Sequence, residues 1–456
     1  MVAHVKLAVI LCASVMLVSG LAYTVIQLPA RETERTNPVV PQPHPTNPSG
    51  TNTSGSPPVT PPGSNSTDPT GPAVNFTDPS SIQELVNASN LFALKMFSNL
   101  SGDGENLFFS PYSIFTALAM CYEGAAGRTA DEIRSLLHFP ADNQTRWSLV
   151  SSLIKKINAD NLDYSLNTAN ALYIIKQSKP LIEKYLDVLA RYYNAGAFNL
   201  TAQDTEKARQ DINSWVANRT NGMIKDILPP GALDIDAANL LVLINTIYFK
   251  GTWLKQFDPA NTTQQPFHVT PQKSVQAPMM KRTDEKAVFN YTSGDGVQVL
   301  RLDYGGGDMS MLLLLPKDGN TSRLEGSLSV ERLGQWKHDL SERRVDVYLP
   351  RFRLECRYEL GTVLKTMGMA TAFSNSADFS GINGGGLSIG RVIHKAVVDV
   401  NEEGTEAAAA TAVIMSDNCI EPPVPVFKAD HPFIFLIQDN ETGNILFMGK
   451  VVDPTR

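Results

Sequence analysis

Apolar residues fall on one helical face through the early part of the chain and alternate through the later part. From Ser80 to about Ile157 the spacing is helical, with Ile82, Leu85, Leu91, Phe92, Leu94 and Phe97 on one stripe. Thr129-Ala-Asp-Glu132 ahead of Ile133 has the form of a capping box and predicts a helix start there. Leu181 to Tyr193 and Thr205 to Asn221 read as further helices, and Tyr164 to Tyr173 alternates like a strand. After Asn239 the chain turns strand-rich: Leu240–Phe249, Gln276–Met280, Gln298–Tyr304, Ser310–Leu315 and Val345–Leu354. Gly305-Gly-Gly-Asp308 reads as a hairpin turn between two of these runs. Helices early and strands late predict an α+β fold rather than alternating βαβ units. No internal repeat is present.

One stretch fits neither pattern. Val400-Asn-Glu-Glu-Gly404 is followed by Thr405, Glu406, the alanines Ala407, Ala408, Ala409 and Ala410, then Thr411-Ala-Val-Ile-Met415. Four alanines favour helix, yet the odd-numbered positions from Thr405 to Met415 are all uncharged. As a strand, the segment would send those six side chains to one face and leave Glu406 on the other. It reads as a strand built small enough to slip between two others.

The N-terminal part does not belong to a folded core. Leu7 to Ala22 is almost wholly apolar, a length that suits a signal-peptide core, and Gly20 and Ala22 offer a small-x-small cleavage site. The apolar character continues through Val25, Ile26 and Leu28, so residues 1–30 read as a cleaved signal peptide or a retained membrane anchor spanning 7–28. Cys12 lacks the flanking residues of a lipoprotein site. Residues 31–79 are Pro, Thr, Ser, Asn and Gly with few large apolar side chains, a composition that predicts an extended tether. Glycosylation sequons begin at Asn52, Asn65 and Asn75 within it and at Asn87, Asn199 and Asn261 beyond it. Export is expected, with the folding domain (80–456) outside the cell or tethered to its surface.

Composition narrows the function. The chain has 456 residues, 43% of them hydrophobic, and a net charge of −7, which suits one large domain and argues against nucleic acid. The four cysteines, Cys12, Cys121, Cys356 and Cys419, have neither metal-ligand nor redox spacing, and Cys121 reads as core. Gly386-Leu-Ser-Ile-Gly390 matches a hydrolase nucleophile motif, but that motif needs a strand before it and a helix after it. Here a Gly-rich loop precedes it and the β-branched run to Val400 follows. No metal-binding His pattern or phosphate loop is present, and no cofactor site is expected.

Several further segments carry a resemblance. Asn106-Leu-Phe-Phe-Ser-Pro-Tyr-Ser113 with Ala117-Leu-Ala-Met-Cys-Tyr-Glu-Gly124 resembles the serpin segment leading into a buried helix. Ile212-Asn-Ser-Trp-Val216 with Thr220-Asn-Gly-Met-Ile224 resembles another serpin helix and its exit. Leu243-Ile-Asn-Thr-Ile-Tyr-Phe-Lys-Gly-Thr-Trp253 and Phe257-Asp-Pro259 resemble a central strand and its turn. Ala429-Asp-His-Pro-Phe-Ile-Phe-Leu436 and Gly443-Asn-Ile-Leu-Phe-Met-Gly-Lys450 resemble the closing strands. Asn401 to Ala410 resembles the hinge of the reactive-centre loop. From about Ser80 onward the chain is therefore identified as a member of the serpin family, of prokaryotic type and with an inhibitory hinge.

The resemblance implies a serpin fold of three β-sheets, about eight to nine helices and an exposed loop. It implies not an enzyme but a suicide inhibitor of proteases: a target protease forms a covalent acyl-enzyme with the loop, which then inserts into the main sheet. The hinge would be Glu402, Glu403, Gly404, Thr405, Glu406 and Ala407 to Ala410. Ser110, Ser113, Asn245 and His394 would form a buried polar "shutter"; His394 would otherwise read as a base. Trp253, Arg351 and Glu402 would form the "breach", with Arg351 where the family usually has Lys. Family spacing puts the scissile bond at Asn418–Cys419, with Met415–Ser416 as the other candidate. Cys419 is then either a small residue or an accessible thiol. A monomer is expected. The other reading is a non-inhibitory serpin serving as a surface binding or structural protein.

Overall fold

The structure, a computed structural model, describes residues 80–102, 104–158, 163–175, 179–200, 205–233, 240–404 and 423–456. All belong to one unit, Val74–Arg456. The expected leader and tether, and the loop residues Thr405 to Ala410, Met415, Ser416, Asn418 and Cys419, lie outside the described residues.

The helices are α1 (Ile82–Leu100), α2 (Pro111–Tyr122), α3 (Gly127–Leu137), α4 (Asn143–Ile157), α5 (Glu183–Val188), α6 (Thr205–Arg219), α7 (Thr321–Ser327), α8 (Val330–Asp339), α9 (Gly361–Thr366) and α10 (Ser380–Asn383). The early strands are β1 (Leu107–Phe109), β2 (Tyr164–Ile175), β3 (Gly196–Leu200), β4 (Leu240–Gly251), β5 (Thr263–Thr270), β6 (Lys273–Arg282), β7 (Val288–Gly294) and β8 (Val297–Asp303). The later ones are β9 (Met309–Pro316), β10 (Ser341–Arg344), β11 (Asp346–Pro350), β12 (Phe352–Glu359), β13 (Ser388–Val400), β14 (Val426–Lys428), β15 (Phe433–Asp439) and β16 (Ile445–Val451). They form three sheets, ordered β1-β16-β15-β9-β8-β7-β10, β14-β11-β6-β5 and β12-β13-β4-β2-β3. The fold is α+β.

Burial explains where the sequence patterns hold. α2 is apolar on every side, and Pro111 to Cys121 are all buried, which is what an all-round apolar helix requires. Its start is fixed by Pro111 at the first position and by the Ser110 hydroxyl, which accepts the Ser113 N–H. β4 and β13 are near-continuous apolar runs because both faces are covered. The main core lies on one face; Ile244, Ile393 and Val397 meet α6 residues such as Ile212 and Val216 on the other.

Three local expectations are corrected. α3 begins at Gly127 behind Ala126, not at a Thr129 cap. Thr129 instead accepts the Asp378 N–H, and Glu132 binds Thr371, so tertiary partners claim both ends of the apparent box. The run Val345–Leu354 is two strands in two different sheets, β11 and β12, parted at Arg351. The helix expected from Leu181 starts at Glu183 and ends in a π-helical turn, Leu189–Tyr193.

Candidate functional site

The five-stranded sheet contains a parallel seam. β13 runs beside β4 with Ser388 to Val397 opposite Leu240 to Tyr248. The pairing stops there, although β4 continues to Gly251 and β13, still paired with β12, continues to Val400. The seam is therefore open at the end where β13 leaves the sheet.

The chain turns back into this opening. Asn401 and Gly404 exchange backbone hydrogen bonds of 3.3 and 3.2 Å, closing a tight reversal. Gly404 then forms an antiparallel bridge with Thr252, just past β4. Trp253 N–H donates to Glu403 O and Phe257 N–H to Glu402 O, both at 2.9 Å. The Trp253 indole N–H donates to Asn401 O at 2.9 Å, and its ring stacks on Tyr304 with centroids 4.5 Å apart. Gly404 has φ +107°, and a Cβ there would lie 2.3 Å from Trp253 N, so neither the conformation nor the space admits a side chain. A strand continuing from Gly404 would run antiparallel to both β13 and β4.

Glu402 anchors this reversal. Its carboxylate is buried, and Arg351 Nε lies 2.6 and 2.5 Å from the two oxygens, with Arg351 Nη2 2.5 Å from Oε1. The Thr262 hydroxyl donates to Oε1 as well. Burial pushes the Glu402 pKa up, but the hydrogen bonds from Arg351 and Thr262 outweigh it and hold the carboxyl below its ordinary range. Arg351 reaches this position because it sits where the chain passes from one sheet to another, its N–H donating to Pro278 O at 2.8 Å.

Midway along the seam lies a row of polar side chains. Asn170 on β2, Asn245 on β4, His394 on β13 and Tyr358 on β12 are successive register partners across four strands. Facing positions on neighbouring strands share a face, so the row aligns. The Ser110 N–H donates to His394 Nε2 at 3.0 Å, which places the ring proton on Nδ1, against Asn245 Oδ1. The Asn245 amide donates to Ser113 O at 2.7 Å and to Ser113 Oγ and Asn170 Oδ1 at 2.5 Å. Ser110 Oγ donates to Leu446 O at 2.6 Å, tying the row to β16. Burial pushes the His394 pKa down to about 3, which a hydrogen bond at Asn245 offsets only in part, so the ring is neutral.

The structure thus brings Ser110, Ser113, Asn245 and His394 together in one cluster, and Trp253, Arg351 and Glu402 in another with Glu403 and Gly404. Asn170, Thr262 and Tyr304 were not singled out from the sequence. Asn170 carries a signal in hindsight, being a carboxamide at the middle of an alternating strand. Ser388 opens β13 and no helix follows it, so the Gly386–Gly390 motif is not a nucleophile elbow. Cys121 is buried, and Cys356 is half-buried on β12. Among the described residues, no cluster of three or more His, Cys, Asp or Glu is arranged to hold a metal, and no helix is long and apolar enough to cross a membrane.

Comparison with known proteins agrees with this geometry. The family model for serpins, serine protease inhibitors, matches residues 87–454, and the chain belongs to that family. An uncharacterized serpin-like protein of Thermococcus kodakarensis is 42% identical, with 81% of this chain and 86% of the relative covered. Leukocyte elastase inhibitor A of Rattus norvegicus is 38% identical, with 82% of this chain and 100% of the relative covered. Among solved structures, uncleaved ovalbumin aligns at a TM-score of 0.72 and 32% identity, covering 81% of this chain and all of ovalbumin.

Proposed function

We propose that this serpin is a suicide inhibitor of extracellular endopeptidases, of the serine class and extending to cysteine enzymes, that traps its target by inserting the reactive loop between β4 and β13. The observation that carries the reading is Gly404, already bridged to Thr252 at the open end of the seam.

The protease's nucleophile attacks the carbonyl carbon of Asn418. The bond to Cys419 nitrogen breaks, the nucleophile's proton passes through the protease's base to the new Cys419 amine, and Asn418 stays esterified to the enzyme. With its far end cut free, the segment after Gly404 enters the seam antiparallel to both neighbours. One ladder is then replaced by two. Each hydrogen bond contributes about 0.5–1.5 kcal/mol net. With burial of one face, insertion of roughly a dozen residues yields on the order of ten kcal/mol. The enzyme is dragged along, and small displacements of its catalytic groups slow deacylation steeply. The Asn245–His394 contact spans the seam and must part as the strand enters, so the polar row acts as the shutter and the Glu402–Arg351–Trp253 cluster as the breach.

The expected leader and tether and the exposed sequon residues Asn87, Asn199 and Asn261 support an exported, glycosylated protein displayed by or released from the cell. The test is to mix the protein with a panel of serine and cysteine proteases and look for a complex that survives SDS. An adduct with a released peptide starting at Cys419 supports the whole reading; one starting at Ser416 moves the bond to Met415. Cleavage without adduct across the panel favours a non-inhibitory surface protein.

A further inference from the structure

After the loop, the chain rejoins the body through β14, which meets β11 in a short parallel pairing, Val426 to Lys428 opposite Asp346 to Tyr348. One backbone bond closes each end of it: the Asp346 N–H donates to Pro425 O and the Ala429 N–H to Tyr348 O, both at 2.9 Å. Parallel pairs are the weaker kind per residue, so a strand this short gains from a further hold. The turn that follows supplies one.

His431 lies in that turn. Pro432 comes next and restricts the His431 backbone to the extended region, which limits where the ring can point. Nδ1 lies 3.0 Å from Asp430 Oδ1, and Nε2 lies 2.8 Å from the carbonyl oxygen of Pro316, the last residue of β9. A carboxylate and a proline carbonyl accept hydrogen bonds and cannot donate them. A neutral imidazole has one N–H and serves only one of these partners; the imidazolium has two and serves both. The geometry therefore selects the charged ring. The charged groups around it agree. Asp318, just past β9 and paired with Arg323, adds a second negative charge, and Lys428 pairs with the other oxygen of Asp430 at 3.1 Å. His268, on β5, meets the turn through its backbone, its N–H donating to Asp430 O at 2.7 Å, while its ring turns to Ser274. The His431 and Asp430 side chains are only 22% and 21% exposed, so water competes weakly for their contact. Burial opposes the charge, but the hydrogen bonds to Asp430 and Pro316 outweigh it and raise the ring's pKa above its ordinary 6.5.

We infer that His431 is a proton-held clasp on the root of the reactive loop, tying the turn after β14 to the end of β9 while the ring is charged and releasing one of its two ties when the ring is neutral. The bond to a carboxylate is the stronger, so Nδ1 keeps its proton and the tie to Pro316 is the one released. The clasp is complete below pH 6.5 and is lost as pH rises through the raised folded value. It acts at the end of the loop remote in sequence from Gly404, and it holds whether or not the loop traps a protease.

The experiment is hydrogen exchange of the full chain from about pH 5.5 to about 8.5, read as protection factors so that the intrinsic pH dependence of exchange cancels. The Asp346 and Ala429 amides should lose protection about tenfold toward alkaline pH, and the Trp253 amide should not. In His431→Gln the two root amides should be weakly protected with no such dependence. A flat profile in the native protein, the same fall in His431→Gln, or an equal fall at Trp253 overturns the inference. A second measurement needs no variant: nitrogen-15 spectra of the native protein at about pH 6 should show two N–H groups on the His431 ring, and a single one contradicts the clasp.

Discussion

Asn245 and His394 face each other directly across the β4–β13 seam, the imidazole Nδ1–H against the carboxamide oxygen. A buried polar contact in an apolar sheet is satisfied only while the strands stay in register. The pair therefore closes the seam without sealing it by packing alone.

Its protonation sets a pH dependence. His394 has a folded pKa of about 3 against an ordinary 6.5, so the unfolded state binds the extra proton between those values. Its stabilising contribution is complete above pH 6.5 and is lost progressively as pH falls toward 3, up to ~5 kcal/mol in total. His431, whose pKa is raised, acts in the opposite direction. The unfolding free energy of the native protein minus that of His394→Gln should therefore fall with acidification across this window. A difference that stays flat would contradict the burial argument.

Arg351→Ala should lower stability by about 1–3 kcal/mol, less than for a wholly buried pair because the Arg351 side chain is 44% exposed. It leaves the buried Glu402 carboxylate with Thr262 but without its counter-charge. The Glu402 contribution is present above pH 4.5 and fades as pH drops through its lowered folded pKa. Denaturant titration of Arg351→Ala and native protein at neutral and acidic pH should show the gap narrowing in acid.

Gly404→Val should dislodge the reversal, since its Cβ would meet Trp253 N at 2.3 Å with φ at +107°. The expected result is faster hydrogen exchange at the Trp253 and Phe257 amides, with a loss of about 1–3 kcal/mol. Unchanged protection there would mean the bridge to Thr252 is not held in solution.

On the proposed insertion, Thr405 would be the first residue to follow Gly404 into the seam. Thr405→Arg would bury an unpaired charge on insertion, so the variant should be cut as a substrate and form no SDS-stable complex. Gel analysis against a protease that the native protein traps gives the answer; an intact complex would count against insertion.

Much of this was legible in the sequence where one physical cause dominates. The all-round apolar character of α2, the hairpin at Gly305–Asp308 and the strand runs of β4 and β13 follow from burial alone. The break at Arg351 was hidden because Val347, Leu349, Phe352 and Leu354 are apolar whichever sheet receives them. The start of α3 was misplaced because Thr129 and Glu132 bind Asp378 and Thr371, over two hundred residues along the chain. Asn170 joins the polar row only through register with Asn245, which no local pattern encodes. The grouping of Trp253, Arg351 and Glu402 was suggested by the resemblance to serpins, but the Gly404–Thr252 bridge depends on tertiary pairing that no local pattern encodes.

The most direct test of insertion is the guanidinium unfolding midpoint of the domain before and after a single cut between Met415 and Cys419. Exchange of one ladder for two predicts a large rise in the midpoint of the cut form. A midpoint that is unchanged or lower would show that the loop stays outside the β4–β13 seam.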